Sequence, residues 1–549
     1  MTEQILELIA FVLFGIHVIR VTFLDVFIWQ LKEYRIDRIL AFFSTNQGKK
    51  FILNPLVLIK LFLLITSIVF YWHVSRMIIL GVYITVNILE NILIYKRGIK
   101  NFKLPVFTLK ATLIIIFSIL ILIFFLIFFS IDKSVFFQIL ERLIPFIILL
   151  VVLVINLFSF IIKRLIIRKA KEIISRQKNI ISIGITGSFG KTTTKYFLNT
   201  ILSKKFNVLS TAGSHNTEIG VAKNIIQKLA FNTAIFIAEM GAYKKGEIEA
   251  ICKLVNPKIG IITGINEQHA ELFGSIRETM KTKYELIKNL APNGIAIFNM
   301  RNYMVQELVN WAISDRKDLI LWGYQRLDSE EKPITKKGIT KMLYAKDIIS
   351  KKNNLSFKLI YDDSEIKCQA NLLGKQSVDS ILPGVMVGLY LGLSIKEISS
   401  SIANLKPPPN TMRFIRYSHK SYLIDNTFNA NPDGVMAILE YMKLQKIKRK
   451  IIVFTPLIEL GRYAEEIHRN IGKETAQICD LIILTNDNFK QAFTQGTKLV
   501  ADIKDKIFNI GQDDALVKMK LFLDEGAIVA FVGKESKKLL EKIEKVKLC

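Results

Sequence analysis

Hydrophobic positions divide this chain into two textures. As far as about residue 167 the apolar residues come in long unbroken runs. From about residue 180 they come in short runs that alternate with amphipathic stretches of helical spacing. A segment of about 20 apolar residues matches the hydrocarbon thickness of a bilayer. Five such spans are expected near 5–28, 52–72, 77–95, 108–131 and 143–163. ATLIIIFSILILIFFLIFFSI lies at the heart of the fourth, and LIPFIILLVVLVINLFSFII makes up most of the fifth. The first is interrupted by His17, Arg20 and Asp25, so an interfacial helix is the alternative there. Its acidic start, MTEQILE, and the lack of a small-residue cleavage site argue against a cleavable signal peptide.

Charge orients these spans. The loop after the first holds Lys32, Arg35, Arg38, Lys49 and Lys50, and the loop after the third holds Lys96, Arg97, Lys100 and Lys103. KRLIIRKAKEIISRQK follows the fifth, while the loops after the second and fourth are short and nearly neutral. Basic loops stay cytoplasmic, which puts the N-terminus outside and everything after residue 167 inside. The same cations suit anionic lipid headgroups. Polar residues within the spans (His17, Arg20, Asp25, Asn87, Glu90) are read either as packing or as a site.

In the second texture, IISIGITG, TAIFIAEM, KIGIITGI and GIAIFNM read as strands separated by helices such as KTTTKYFLNTILSKK and SIRETMKTKYELIKNL. Strands alternating with helices predict an α/β, mostly parallel, doubly wound sheet. KPPPNTMRF stops any helix near residue 406. A second, Rossmann-like α/β unit follows, with candidate strands SYLIDNTF, KIIVFTPL, LIILTN and AIVAFVG. The expected organisation is an N-terminal multi-span helical membrane region (1–167), a basic linker (168–179), a central nucleotide-binding domain (180–406) and a C-terminal domain (407–549).

Composition narrows the class. Of 549 residues, 51% are hydrophobic, yet Lys and Arg number 75 against 47 acidic residues, a formal charge of +28. That excludes a simple soluble enzyme, a disordered chain and a small secreted scaffold. Cys252, Cys368, Cys479 and Cys549 are scattered without metal-ligand spacing, which suits a reducing cytosolic face. The cations are spread along the whole chain with no aromatic-basic platform, so no nucleic acid partner is expected.

The strongest chemical signal is Gly184-Ile185-Thr186-Gly187-Ser188-Phe189-Gly190-Lys191-Thr192-Thr193, between an apolar strand and a helix. Backbone N–H groups at such a helix N-terminus wrap phosphates. Lys191 can neutralise the β/γ-phosphates and the Thr192 hydroxyl can ligate Mg²⁺. The generic phosphate loop has glycine at position 185; here Ile185 stands there and the glycine comes one residue early. Glu239 ends the strand TAIFIAEM, at the rim where open α/β sheets place ligands, and a carboxylate there can hold Mg²⁺. His269 follows KIGIITGI and ends at the same rim, although a lone loop histidine is more often a surface residue. Lys283 lies on an amphipathic helix whose solvated face is the alternative reading, and Asn216 could be a turn asparagine.

The form GxTGSxGKTTTK resembles the Mur ligases, the ATP-dependent amide-forming enzymes of peptidoglycan synthesis. GSHNTEIGV, AEMGAYKKGEI, GINEQHAELFGS, KTKYELI, IDNTFNANPDG and ELGRYAEEIHRNIG follow in the family's order, and the resemblance covers roughly residues 180–549. It is strongest to the member that adds D-alanyl-D-alanine. The resemblance implies transfer of ATP's γ-phosphate to a muramoyl-peptide carboxylate, then attack by an amine such as D-alanyl-D-alanine. It implies Lys191, Lys283, His269 and Asn216 as catalytic residues. For the nucleotide it implies Gly187, Ser188, Gly190, Lys191, Thr192, Thr193, Arg413, Asp425, Asn426 and Asn429. Two Mg²⁺ ions would be held by Thr192, Glu239, His269 and Lys283, the last as a CO₂-derived carbamate.

Several positions depart from the family. Asp425-Asn426-Thr427 stands for Asp-Asp-Ser, and FVGKES for Val-Lys-Gly-Ser-Arg. Gln376, Ser377 and Ser380 replace a histidine and two asparagines that help bind adenosine. The spans occupy the place of the UDP-sugar-binding domain, which leaves the acid open between UDP-linked and lipid-linked precursors and adds membrane lipids as partners. The rival readings are a ligase for another acid–amine pair, an ATP-driven membrane transporter, for which no LSGGQ-like signature is present, and a non-catalytic scaffold.

Overall fold

The computed structural model describes residues 2–44, 48, 54–70, 73–96, 103–129, 133–177, 179–267, 273–328, 331–351, 353–361, 364–428, 430–500, 507–509 and 513–546. The chain forms two compact units, Met1–Leu165 and Ile166–Cys549.

The first unit is helical. Among the described residues, four stretches are long and apolar enough to cross a membrane by length and composition: Glu3–Leu31, Arg76–Leu93, Leu109–Phe128 and Val135–Ser175. The second expected span is a shorter apolar helix, Pro55–Val69, of 15 residues, below the length of the other four; Pro55 at its first position starts it with Asn54, whose side chain accepts from the Leu56 N–H. Phe14, Leu80, Ile114, Leu140 and Ile148 form the centre of the unit's core.

Apolar surroundings make a lone charge expensive, so ionisable groups there must find partners. Four of the five polar residues singled out in the spans do so. Arg20 pairs with Glu90 at 2.6 Å, and His17 lies 3.4 Å from the same carboxylate. Lys60 bridges Glu90 at 2.7 Å and Glu141 at 3.2 Å and donates to Asn87. Tyr83 completes the set by donating to Glu141. Asp25 is buried outside this network. Among the described residues each member of the network lies in an ion pair or hydrogen bond with another.

In the second unit a nine-stranded sheet has the order β2-β3-β1-β4-β5-β6-β7-β8-β9. Its parallel part comprises β1 (Ile181–Thr186), β2 (Val208–Ser210), β3 (Ile235–Glu239), β4 (Ile259–Ile262), β5 (Ile295–Asn299) and β6 (Ile320–Arg326). Helices cover both faces, which is why these strands read as nearly continuous apolar runs. One face carries Phe197, Leu198, Ile201 and Val378, and the other Val221, Ile251, Leu286 and Leu308. Ile166, Ala170 and Ile174, from the end of the helix Lys133–Ser175, pack on the second face.

β7 (Ile339–Lys351) continues the sheet parallel to β6. β8 (Asn354–Tyr361) and β9 (Ser364–Ala370) then add two antiparallel strands. This edge was not anticipated from the sequence. Only one of its faces is buried, through Leu343, Ala345, Leu355, Phe357, Leu359 and Cys368, and the exposed lysines break up the apolar run.

A six-stranded sheet follows, ordered β10-β11-β15-β12-β13-β14. It contains β10 (Arg413–Arg416), β11 (Tyr422–Asn426), β12 (Arg449–Phe454), β13 (Leu481–Leu484), β14 (Ile507–Asn509) and β15 (Ala527–Val532). All its neighbours are parallel except the edge pair β10–β11. The four strands expected from the pattern are β11, β12, β13 and β15.

Candidate active site

The carboxyl ends of β1, β3, β4 and β5 open into a cleft of about 460 Å³, closed on its other side by residues that follow the prolines. Ser188, Lys191, Asn216, Glu239, Lys283 and Asn426 are among its lining residues.

The loop after β1 turns on two glycines. Gly187 has φ +152, and a Cβ there would lie 2.2 Å from the Thr263 hydroxyl and 2.9 Å from the Gly264 carbonyl. Gly190 has φ +78 and caps the helix Lys191–Leu202. Thr263 Oγ1, just past β4, donates to the Phe189 carbonyl and so ties the loop down. Ser188 Oγ is buried with no hydrogen-bond partner among the described residues. An orphaned donor beside a helix N-terminus fits an anion such as phosphate. Gly187→Ala should cost about 1–3 kcal/mol in stability, the usual range for a strained backbone. Chemical unfolding together with a nucleotide titration would check this, and an unchanged affinity for ADP would show that the loop tolerates the shift.

Lys191 Nζ is folded back onto its own loop, donating to the Gly187 carbonyl at 2.7 Å and to the Ser188 carbonyl at 3.0 Å. Burial lowers its ammonium from the ordinary lysine value, and the Glu239 charge opposes that. Thr192 Oγ1 donates to Glu239 Oε1 at 3.1 Å, and Asn216 Nδ2 reaches the same oxygen at 3.4 Å. Lys195 Nζ lies 2.9 Å from Glu239 Oε2. The Thr192 hydroxyl and the Glu239 carboxylate are hard oxygen donors meeting at one point, a donor set that fits Mg²⁺.

Lys283 is not on a solvated helix face. It is 1% exposed, on the helix Ile276–Lys288, which is started by Ser275 accepting from the Glu278 N–H. Glu285 holds that helix in place by accepting from the Gly246 and Glu249 N–H groups. Burial, and after it the nearby Lys191 charge, push the Lys283 ammonium down to about 7. Among the described residues Lys283 has no ion-pair partner.

The C-terminal half supplies the other wall. Asn431 caps the helix Pro432–Leu444 by accepting from the Gly434 N–H, with Pro432 at the first position. Asp433, in its first turn, accepts from Asn266 Nδ2 at 2.5 Å, joining the two α/β halves across the cleft. Asn426 lines the cleft, while its Oδ1 accepts from the Met412 N–H. Asp425 and Arg413 do not line it. Asp425 Oδ1 accepts from Thr427, and its Oδ2 lies 3.3 Å from Arg413, which also pairs with Glu544. Gln376, Ser377 and Ser380 face the cleft as the motif order implies. Within ELGRYAEEIHRNIG, His468 is fully buried: Nε2 accepts from the Leu457 N–H and Nδ1 bonds the Ala464 carbonyl. It braces the turn carrying Ile458 and Glu459 into the cleft. Of the expected site residues, His269 and Asn429 lie outside the described residues.

Sequence reasoning passed over Lys195, Thr263 and Asn299, whose Nδ2 donates to the Thr263 carbonyl. Only Lys195 had a signal, as the last residue of Lys-Thr-Thr-Thr-Lys.

Comparison with known proteins places this architecture. Residues 185–387 match the Mur ligase middle domain, and residues 412–535 the Mur ligase glutamate ligase domain. The UDP-N-acetylmuramoyl-tripeptide–D-alanyl-D-alanine ligase of Bacillus subtilis is 26% identical over 65% of this chain and 74% of its own length. The Escherichia coli protein of that name is 27% identical over 53% of this chain and 61% of its own length. Among solved structures, MurF from Acinetobacter baumannii superposes with a TM-score of 0.60 at 21% identity, covering 70% of this chain and 80% of that one. MurF from Thermotoga maritima in complex with ADP gives 0.59 at 21% identity, covering 70% and 84%. These likenesses to solved structures establish the fold. Since the two matched domains are the middle and C-terminal parts of one enzyme type and together cover more than half of the sequence, the chain belongs to the Mur ligase family.

Proposed function

We propose that this chain is an ATP-dependent ligase that joins an amine such as D-alanyl-D-alanine to the carboxylate of a muramoyl peptide. The observation that carries this reading is the meeting of Lys191, Thr192 and Glu239 at one rim of a cleft walled by both α/β halves. The curated relatives bearing the name of that ligase support the substrate class.

The substrate carboxylate oxygen attacks ATP's γ-phosphorus and ADP leaves. The amine nitrogen then attacks the acyl carbon, loses a proton and expels phosphate. Such phosphoryl transfer depends on positioning and charge neutralisation rather than on a side-chain nucleophile. The residues match that demand. Ser188 and the helix N-terminus hold phosphate oxygens, and Lys191 leaves its two loop carbonyls to follow the transferring group. Thr192 and Glu239 would hold Mg²⁺, with His269 and a carbamylated Lys283 for a second ion; the metal would supply charge neutralisation when bound. An amine that is largely neutral near pH 7 is the form that captures CO₂, which supports the carbamate at Lys283.

In this reading the ligase sits at the cytoplasmic membrane with its N-terminus outside, which requires five crossings: the four long apolar helices and the shorter apolar helix Pro55–Val69; the alternation of basic and neutral loops supports it. Cysteine labelling of intact cells tests the orientation. A cysteine introduced at 132–134 should react with an impermeant reagent and one at 97–100 should not; the reverse pattern refutes it. A ligation assay with UDP-linked and lipid-linked muramoyl tripeptides side by side, using the full chain, decides the form of the acid. Phosphate release that needs the amine supports a ligase, whereas release without it favours a transporter. The apolar spans that stand in place of the UDP-sugar-binding domain favour one further variant, a ligase of the same chemistry with an altered acid.

A further inference from the structure

We propose that Lys195 is a positioning residue that presents Glu239 to the nucleotide-bound metal through one oxygen only. The inference rests on the ligase reading for its metal and goes beyond it in assigning the geometry of that ligand.

Lys195 stands one turn beyond Lys191 on the same helix, and its side chain and that of Glu239 are each 1% exposed. The groups around the Glu239 carboxylate are divided between its two oxygens. Oε2 lies 2.9 Å from the Lys195 ammonium, a charge contact without hydrogen-bond geometry, and Oε1 accepts from the Thr192 hydroxyl at 3.1 Å and the Asn216 amide at 3.4 Å. These contacts differ in strength. Separating a buried ion pair strands two charges in a poorly solvating interior, whereas a long hydrogen bond from a neutral donor is more readily exchanged. A divalent cation entering the cleft would exchange with the contacts at Oε1 and leave the one at Oε2. Oε1, next to the Thr192 hydroxyl, is the oxygen that would hold it.

The same ammonium donates to the Gly213 carbonyl, in the segment leading to Asn216. The Asn216 carbonyl in turn accepts from the Gly241 N–H just beyond β3 at 2.8 Å. Lys195 thus braces both the carboxylate and the loop that carries its amide neighbour.

The test uses the full chain in detergent, with Mn²⁺ and ADP as probes read by electron paramagnetic resonance. Lys195→Met should weaken Mn²⁺ binding in the presence of ADP by tenfold or more while metal-free ADP affinity changes less than threefold. Lys195→Arg should restore most of the loss. In steady-state assays the Mg²⁺ concentration for half-maximal rate should rise far more than kcat falls. Unchanged Mn²⁺ affinity in Lys195→Met, or equal losses of metal and metal-free nucleotide binding, overturns the proposal. Should Lys195→Met fail to fold, Glu239→Gln is compared with Glu239→Gln/Lys195→Met. A residue acting through Glu239 adds nothing in that background, and a further tenfold loss of Mn²⁺ affinity overturns the assignment. Because the probe is binding, the result stands apart from whether the chain ligates the expected amine.

Discussion

Lys191→Ala is expected to lower ATP-dependent ligation by about 10³-fold while the protein remains folded. Removing one preorganised charge that meets a transferring group costs on the order of 10²–10³ in rate, and more for a phosphoryl group. Three decades correspond to about 4 kcal/mol of transition-state stabilisation. Among the described residues, the Lys191 ammonium donates to two carbonyls of its own loop. Deleting it removes no contact to the core, so the melting temperature should shift little. The measurement is amine-dependent phosphate release at saturating ATP, paired with a thermal melt. A variant within tenfold of wild type would remove the phosphate loop from the mechanism and revive the non-catalytic reading.

Lys283→Ala should lose at least about 10²-fold in activity, the scale of a missing charge-stabilising group, and a small carboxylate such as acetate should recover part of it. The lowered ammonium sets a pH window for the wild type. A lysine held at about 7 is mostly neutral above that pH and mostly protonated below it. Carbamate formation needs the neutral amine. Activity should therefore fall as pH drops through about 7, and added bicarbonate should raise it above that pH. Full activity in Lys283→Ala, or a rate indifferent to bicarbonate and pH between 6 and 8, would leave the lysine only as packing beside Phe273, whose ring centre lies 5.7 Å from its Nζ.

Parts of this molecule were legible in one dimension because a local rule governs them. Parallel strands buried on both faces must be apolar throughout, and β1, β3, β4, β5, β11, β12, β13 and β15 read that way. The phosphate loop was legible because its backbone needs glycine where φ is +78, at the start of a helix. Strands β7–β9 were missed because half their residues face solvent, and an alternating pattern rich in lysine resembles a loop as much as a strand.

Sequence alone determined that one-third of the chain is apolar enough for membrane helices, that the rest is doubly wound α/β, and that Lys191, Thr192 and Glu239 end at one rim of the sheet. Each follows from a nearest-neighbour constraint: run length, periodicity, or a strand end followed by a special residue. Tertiary structure decided what depends on distant segments meeting. It buried Lys283, which an amphipathic helix would allow to face water, and it turned Arg413 toward Asp425 and Glu544, away from the cleft. It gathered His17, Arg20, Lys60, Glu90 and Glu141 into one charge network within the first unit. It also set Lys195 against Glu239, 44 positions apart in a chain whose local pattern does not say that the two meet. Burial and charge pairing are properties of the surroundings, and those exist only once the sheets and helices have packed.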